Sequence, residues 1–203
     1  NISDVDNSAA NDITAATVIL GAVTGIGGTG VNASIETTAA TVSATNTTSG
    51  GIFINSLSAV DFSSINAQTA GNIELRSSAG ATLTSVTAAN GAITVTANGL
   101  ITATSVTSST DNDANDIVIT ASSGNIVVGV INAGTVAGDV TLQATTGSIL
   151  DDALDATTDV TGDVVTLTAA TGVGESGGNG SLDTAANSLD MSVTGAGLIN
   201  LSE

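Results

Sequence analysis

One short loop, Asp111-Asn-Asp113-Ala-Asn115-Asp116, carries the densest oxygen chemistry in the chain. Side-chain oxygens at alternate loop positions are what a calcium ion requires, so Asp111, Asp113, Asn115 and Asp116 are candidate metal ligands. The segment departs from a full twelve-residue calcium loop, since no glycine stands at its sixth position and no glutamate closes it. A solvated loop between structural units is the simpler reading, and Ca²⁺ is the candidate ligand that stands beside it.

A second acidic group comprises Asp151, Asp152, Asp155 and Asp159. Paired carboxylates can hydrolyse a glycosidic bond, and Asp151/Asp152 or Asp111/Asp113 would be the pairs to do it. The rest of the composition argues against catalysis. The chain has no His, Cys, Tyr, Trp or Lys, and its aromatic residues are Phe53 and Phe62. General bases other than carboxylates, Schiff-base amines, soft metal ligands and stacking platforms for sugars are therefore missing, and no enzyme is expected.

Charge excludes further classes. The 203 residues carry 15 Asp and 4 Glu against one basic side chain, Arg76, for a formal charge of −18. Nucleic-acid binding needs cations to displace phosphate counterions, and anionic membranes are disfavoured for the same reason. No stretch approaches the roughly 20 apolar residues of a membrane helix. Partners are expected to be cations, basic surfaces or further copies of the same architecture. The acidity does not imply disorder, because 41% of residues are hydrophobic and Val, Ile, Leu and Thr recur in alternation.

The elements that must carry these loops are written in the spacing of glycines. Gly25, Gly50, Gly80, Gly99, Gly124, Gly147, Gly172 and Gly197 each close an alternating apolar segment. Apolar pairs stand seven and five residues before the glycine in Val18/Leu20, Ile73/Leu75, Ile117/Ile119, Val140/Leu142 and Val165/Leu167. Alternation of period two is a strand signal, and a unit near 24 residues is too short for a β-sandwich. It suits one coil of a parallel β-helix, so about eight coils in a single solenoid over residues 1–203 are expected. Val42/Ala44 before Gly50, and Leu189/Met191 before Gly197, are one residue out of phase, which predicts a β-bulge in that coil.

A longer period lies above the first. Residues 1–56 align with 148–203 without a gap at a shift of 147, and 19 of the 56 positions are identical. The chain thus reads as one superunit, 1–147, with six glycine intervals, followed by the start of the next. Under this alignment Asp151, Asp152, Asp155 and Asp159 fall on Asp4, Val5, Ser8 and Asp12. Two acids persist and two do not, which favours a solvated loop over a fixed metal site.

Stacking also predicts neighbours. Asp116 and Asp139 fall on adjacent coils, where two carboxylates repel by up to about 1 kcal/mol in water, so splaying outward is expected. Glu74 and Arg76 share one outward face and should pair. The outward column Glu74/Arg76, Thr94/Thr96, Val118/Thr120, Thr141/Gln143, Thr166/Thr168 is broken by charge and by Val118, which argues against an ice-binding threonine array.

The phrase Asp159-Val-Thr-Gly-Asp-Val-Val-Thr-Leu-Thr-Ala-Ala-Thr-Gly-Val-Gly174, and its variant Ile13-Thr-Ala-Ala-Thr-Val-Ile-Leu-Gly-Ala-Val-Thr-Gly-Ile-Gly27, resembles the repeats of very large secreted bacterial surface proteins. These are similar to filamentous-haemagglutinin-like adhesins. The resemblance implies a right-handed parallel β-helix, export to the bacterial cell surface, and work as a stalk or filament shaft that continues end to end. A calcium-dependent adhesive module, binding glycan or a neighbouring cell, is the alternative. The coils here are longer and less uniform than in that family, and no site residue carries over from it.

Overall fold

A computed structural model describes residues 1–177 and 179–203. The described residues form strands, turns and bends without a helix, and every strand pairing is parallel. The chain winds into a β-solenoid of about eight turns of about 23 residues. Three strand columns make three faces. In one turn, Ile73–Ser77 forms the first face, Ala81–Leu83 the second and Val86–Ala88 the third.

Alternation decides what goes inside. On the first face the inward line runs Ile2, Ile26, Ile52, Ile73, Ile93, Ile117, Val140, Val165, Leu189, each residue paired with the next. On the second it runs Val18, Val42, Phe62, Leu83, Ala103, Val128 and then Asp151. Most of these side chains are fully buried, and together they make one continuous core. Branched aliphatic residues stacked directly over one another suit this geometry, because like side chains in register pack without gaps. Backbone hydrogen bonds run along the axis from coil to coil, as in Ile73 N–H to Ala92 O, Ile93 N–H to Asp116 O and Ile117 N–H to Asp139 O, each 2.9 Å.

The outward column follows the expected register. Glu74, Thr94, Val118, Thr141 and Thr166 stack in that order. Arg76 donates from Nε to Glu74 Oε1 at 2.8 Å. That partly exposed pair contributes on the order of 1 kcal/mol.

Two expectations change. The eight glycines are not one ladder. Gly25, Gly50, Gly71 and Gly91 stack at the corner that precedes the first face, whereas Gly80, Gly99, Gly124, Gly147, Gly172 and Gly197 stack at the corner that follows it. The 30-residue interval from Gly50 to Gly80 is therefore one turn plus one face. The bulge also moves. Val42 and Ala44 pair without interruption with Val18 and Leu20, and Leu189–Val193 pairs evenly with 165–169. The irregularity lies between Val42 and Ser43 against Val60–Ala67, where Ser63 is the extra residue and bends that strand between two faces. The slip before Gly50 comes from a longer corner.

The same register separates coil from superunit. From Val18, six turns along the second face lead to Asp151, and the 147-residue shift ends 14 residues further on, at Val165 on the first face. The third face, entered at Val160, lies between them. Ile2 likewise reaches Val140 in six turns along the first face, while the shift ends at Ile149 on the second, so a superunit is not a whole number of turns and the second copy starts on a different side of the rod.

Candidate functional site

Corners and loops hold the polar chemistry, and their acids mostly serve the backbone of the next coil. Asn72 Oδ1 accepts the Ala92 N–H at 3.1 Å, Asp116 Oδ1 accepts the Asp139 N–H at 3.1 Å, and Asp139 Oδ1 accepts the Val164 N–H at 3.0 Å. Asp116 and Asp139 therefore reach along the axis rather than splay outward. Each satisfies a corner amide that the strand ladder leaves free.

Asp111 takes this to its limit. Its Oδ2 accepts from Thr135 N–H at 3.0 Å and Val136 N–H at 2.9 Å, and its Oδ1 from Ala137 N–H at 2.8 Å and Gly138 N–H at 3.0 Å. The Gly138 amide, then those of Ala137, Val136 and Thr135, hold the Asp111 carboxyl below the usual carboxylate range. Donors that favour the charged form have this effect. Asn115 is buried and donates to Asn90 Oδ1 and Thr110 O, both at 2.9 Å. Asp113 stays exposed. The candidate ligands Asp111, Asp113, Asn115 and Asp116 are thus not gathered around a common point: Asp111 staples a loop one coil away, and Asp116 caps Asp139.

Removing the staple should loosen that loop. Asp111→Ala is expected to lower the thermal midpoint by several degrees and to expose bonds near 135–138 to protease. An unchanged melting curve with unchanged cleavage would show that the loop holds without the carboxylate.

A different constellation forms where the two superunit copies correspond. In the first copy, Asp4, Asp6 and Asp12 bring carboxylate oxygens within 4.8 Å of one another. Asp12 Oδ2 accepts the Glu36 N–H at 2.9 Å, and Asp12 N–H donates to Glu36 O at 3.0 Å. Glu36 is 0% exposed. Its Oε1 accepts from Ser34 Oγ at 2.8 Å, while its Oε2 is buried with no hydrogen-bond partner. Burial pushes the Glu36 carboxyl up, and the Asp12 carboxylate adds to the shift.

In the second copy, the equivalents are Asp151, Asp159 and Asp183, with Ser181 in the place of Ser34, and their oxygens are spread more widely than those of Asp4, Asp6 and Asp12. Asp159 Oδ2 accepts the Asp183 N–H at 2.8 Å, and Asp159 N–H donates to Asp183 O at 2.8 Å. Asp151 follows the inward Ile149 by two residues, so alternation points it into the core line beyond Val128. It is 5% exposed, and its Oδ2 is buried without a partner, as is Asp183 Oδ2. Burial raises the Asp159 carboxyl to about 7, opposed by the Asp183 amide and reinforced by the charges of Asp151, Asp183 and Asp152. The sequence comparison of Asp151–Asp159 with Asp4–Asp12 missed the third member because it sits one coil on. The signal was present: Glu36 and Asp183 also align at the 147-residue shift and stand 24 residues after Asp12 and Asp159.

Comparisons of this chain with protein-family models, with curated proteins and with solved structures found no match.

Proposed function

We propose that this chain is a stiff structural segment of an extracellular bacterial surface fibre or giant adhesin, serving as stalk or filament shaft. The observation that carries the reading is the unbroken inward line from Ile2 to Leu189, eight successive pairings along one face. Each coil is supported by its neighbours, so length is added without redesigning a core. With strands about 4.8 Å apart, eight turns extend roughly 38 Å along the axis. The outer faces combine threonine, serine and acid, which keeps such a rod soluble and separates whatever it carries from a surface. Continuation coil on coil, within one chain or between chains, is the partner interaction this architecture favours, because every coil pairs with its neighbour through the same parallel strand edges.

Beads coated with the chain should fail to adhere to cells or glycan arrays, while two copies joined in tandem should appear in electron micrographs as a rod about twice as long and no wider. Saturable adhesion that disappears with chelator would replace the shaft by a calcium-dependent adhesive module. Tandem copies that form separate globules would remove the shaft reading altogether.

A further inference from the structure

We propose that each superunit copy builds a binding site for a hard divalent cation, calcium, from Asp4, Asp6, Asp12 and Glu36 in the first copy and from Asp151, Asp152, Asp159 and Asp183 in the second. Acidity alone would not support this, since exposed carboxylates are ordinary on a chain of charge −18. What supports it is where the unsatisfied oxygens lie. Among the described residues, six buried side-chain atoms lack a hydrogen-bond partner, and four of them are Asp4 Oδ2, Glu36 Oε2, Asp151 Oδ2 and Asp183 Oδ2. All four belong to these two groups. Glu36 and Asp151 are at least nine-tenths buried, so water cannot readily serve the orphaned oxygens. An unpaired buried carboxylate is costly, and proteins resolve that cost with a counter-charge, a metal or a proton.

The chain offers no side-chain counter-charge. Its one basic side chain, Arg76, is paired with Glu74. Protonating a single group leaves the other acids in each copy charged against one another. A divalent cation answers several carboxylates at once, and an all-oxygen donor set selects a hard ion. Calcium fits better than magnesium, because it accepts irregular ligand sets with mixed carboxylate modes, whereas magnesium demands a near-ideal octahedron.

Repetition is the second line of support. Asp4/Asp151, Asp12/Asp159, Glu36/Asp183 and Ser34/Ser181 are equivalent at the 147-residue shift, although only 19 of 56 positions are identical. The two groups lie on different faces of the rod, so the coil lattice does not force them to be alike. The two bonds between Asp12 and Glu36, one from the Glu36 amide to the Asp12 carboxylate and one from the Asp12 amide to the Glu36 carbonyl, recur between Asp159 and Asp183. The ion would fasten the loops 4–12 and 152–159 to the coil that follows each of them. The claim concerns the ion alone and stands whether or not the chain is a shaft.

Calorimetric titration of the full chain, stripped with chelator and then supplied with calcium chloride at neutral pH, tests it. Two calcium ions per chain and a thermal midpoint raised by several degrees are expected. Asp12→Asn and Asp159→Asn keep an oxygen for the backbone amide and relieve repulsion, so both variants should fold. Each should lose one of the two ions, or bind it at least tenfold more weakly, and the double variant should lose both. Asp111→Asn should leave both ions in place. Absence of calcium binding up to millimolar concentration by folded protein would overturn the proposal. So would a stoichiometry that Asp12→Asn and Asp159→Asn leave unchanged.

Discussion

Gly71→Ala is expected to destabilise the solenoid by about 3 kcal/mol or more, because its added methyl group would meet the tightest obstacle found at any glycine among the described residues. A Cβ at Gly71 would stand 1.8 Å from the carbonyl oxygen of Gly50 in the coil beneath, and φ there is +136°. The obstacle is backbone, and a Cβ has no rotamer with which to avoid it. Relief requires the two coils to separate at that corner, where Ile52 N–H donates to Asn72 O at 2.9 Å, while Gly71 is held from the other side by its N–H to Asn90 O at 3.0 Å. Gly21→Ala is the matched control, because nothing lies within 4 Å of its Cβ position and its φ is ordinary. Urea unfolding followed by circular dichroism should separate the two variants clearly. Since each coil leans only on its neighbours, the Gly71 variant should also broaden or split the transition, as the coils on either side lose their coupling. Equal midpoints for the two variants would mean that the corner is looser than its packing indicates.

Phe62→Ala should cost about 3–5 kcal/mol. Phe62 is fully buried and is the largest side chain in the core. It lies between Val42 and Leu83 on the second face, both smaller, and next to the extra residue Ser63. The cavity has little prospect of collapse, because hydrogen bonds on both sides fix the strand spacing. Phe53 is the comparison. It sits on the outward side of Ile52–Ser56, is partly exposed, and its ring covers Gly51. Phe53→Ala should cost about 1 kcal/mol, in line with partial loss of buried apolar surface. Denaturant midpoints for the two variants measure the difference, and a gap under about 1 kcal/mol would contradict the placement of Phe62 in the core.

The strand faces were readable because alternation has a period of two and admits no other register. Glu74, Thr94, Val118, Thr141 and Thr166 could be set in one outward column before any coordinates. The corners were not readable, because a glycine marks close approach without saying which corner it occupies. Gly50 and Gly80 look alike in sequence, yet they serve corners on opposite sides of the first face. Gly71 and Gly91 continue the ladder of Gly25 and Gly50, although no regular interval in the sequence links the four. The same limit applied to the acids. Asp111 follows the pattern of a calcium loop, but its partners are four amides about 24 to 27 residues away, and no local motif encodes them. Glu36 joins Asp12 through coil spacing, which becomes visible only once the coil length is known.

The mismatch between the superunit and a whole number of turns has a geometric outcome for any fibre made of such units in tandem. Ile2 opens one copy on the first face and Ile149 opens the next on the second, so the same loops face different directions in successive units. Acidic loops would then wind around the filament as a screw thread. No flank would gather them into a stripe, and two parallel filaments brought side by side would meet like charge at regular intervals from every approach direction. Such a filament would resist bundling and keep each strand of a surface coat apart from its neighbours.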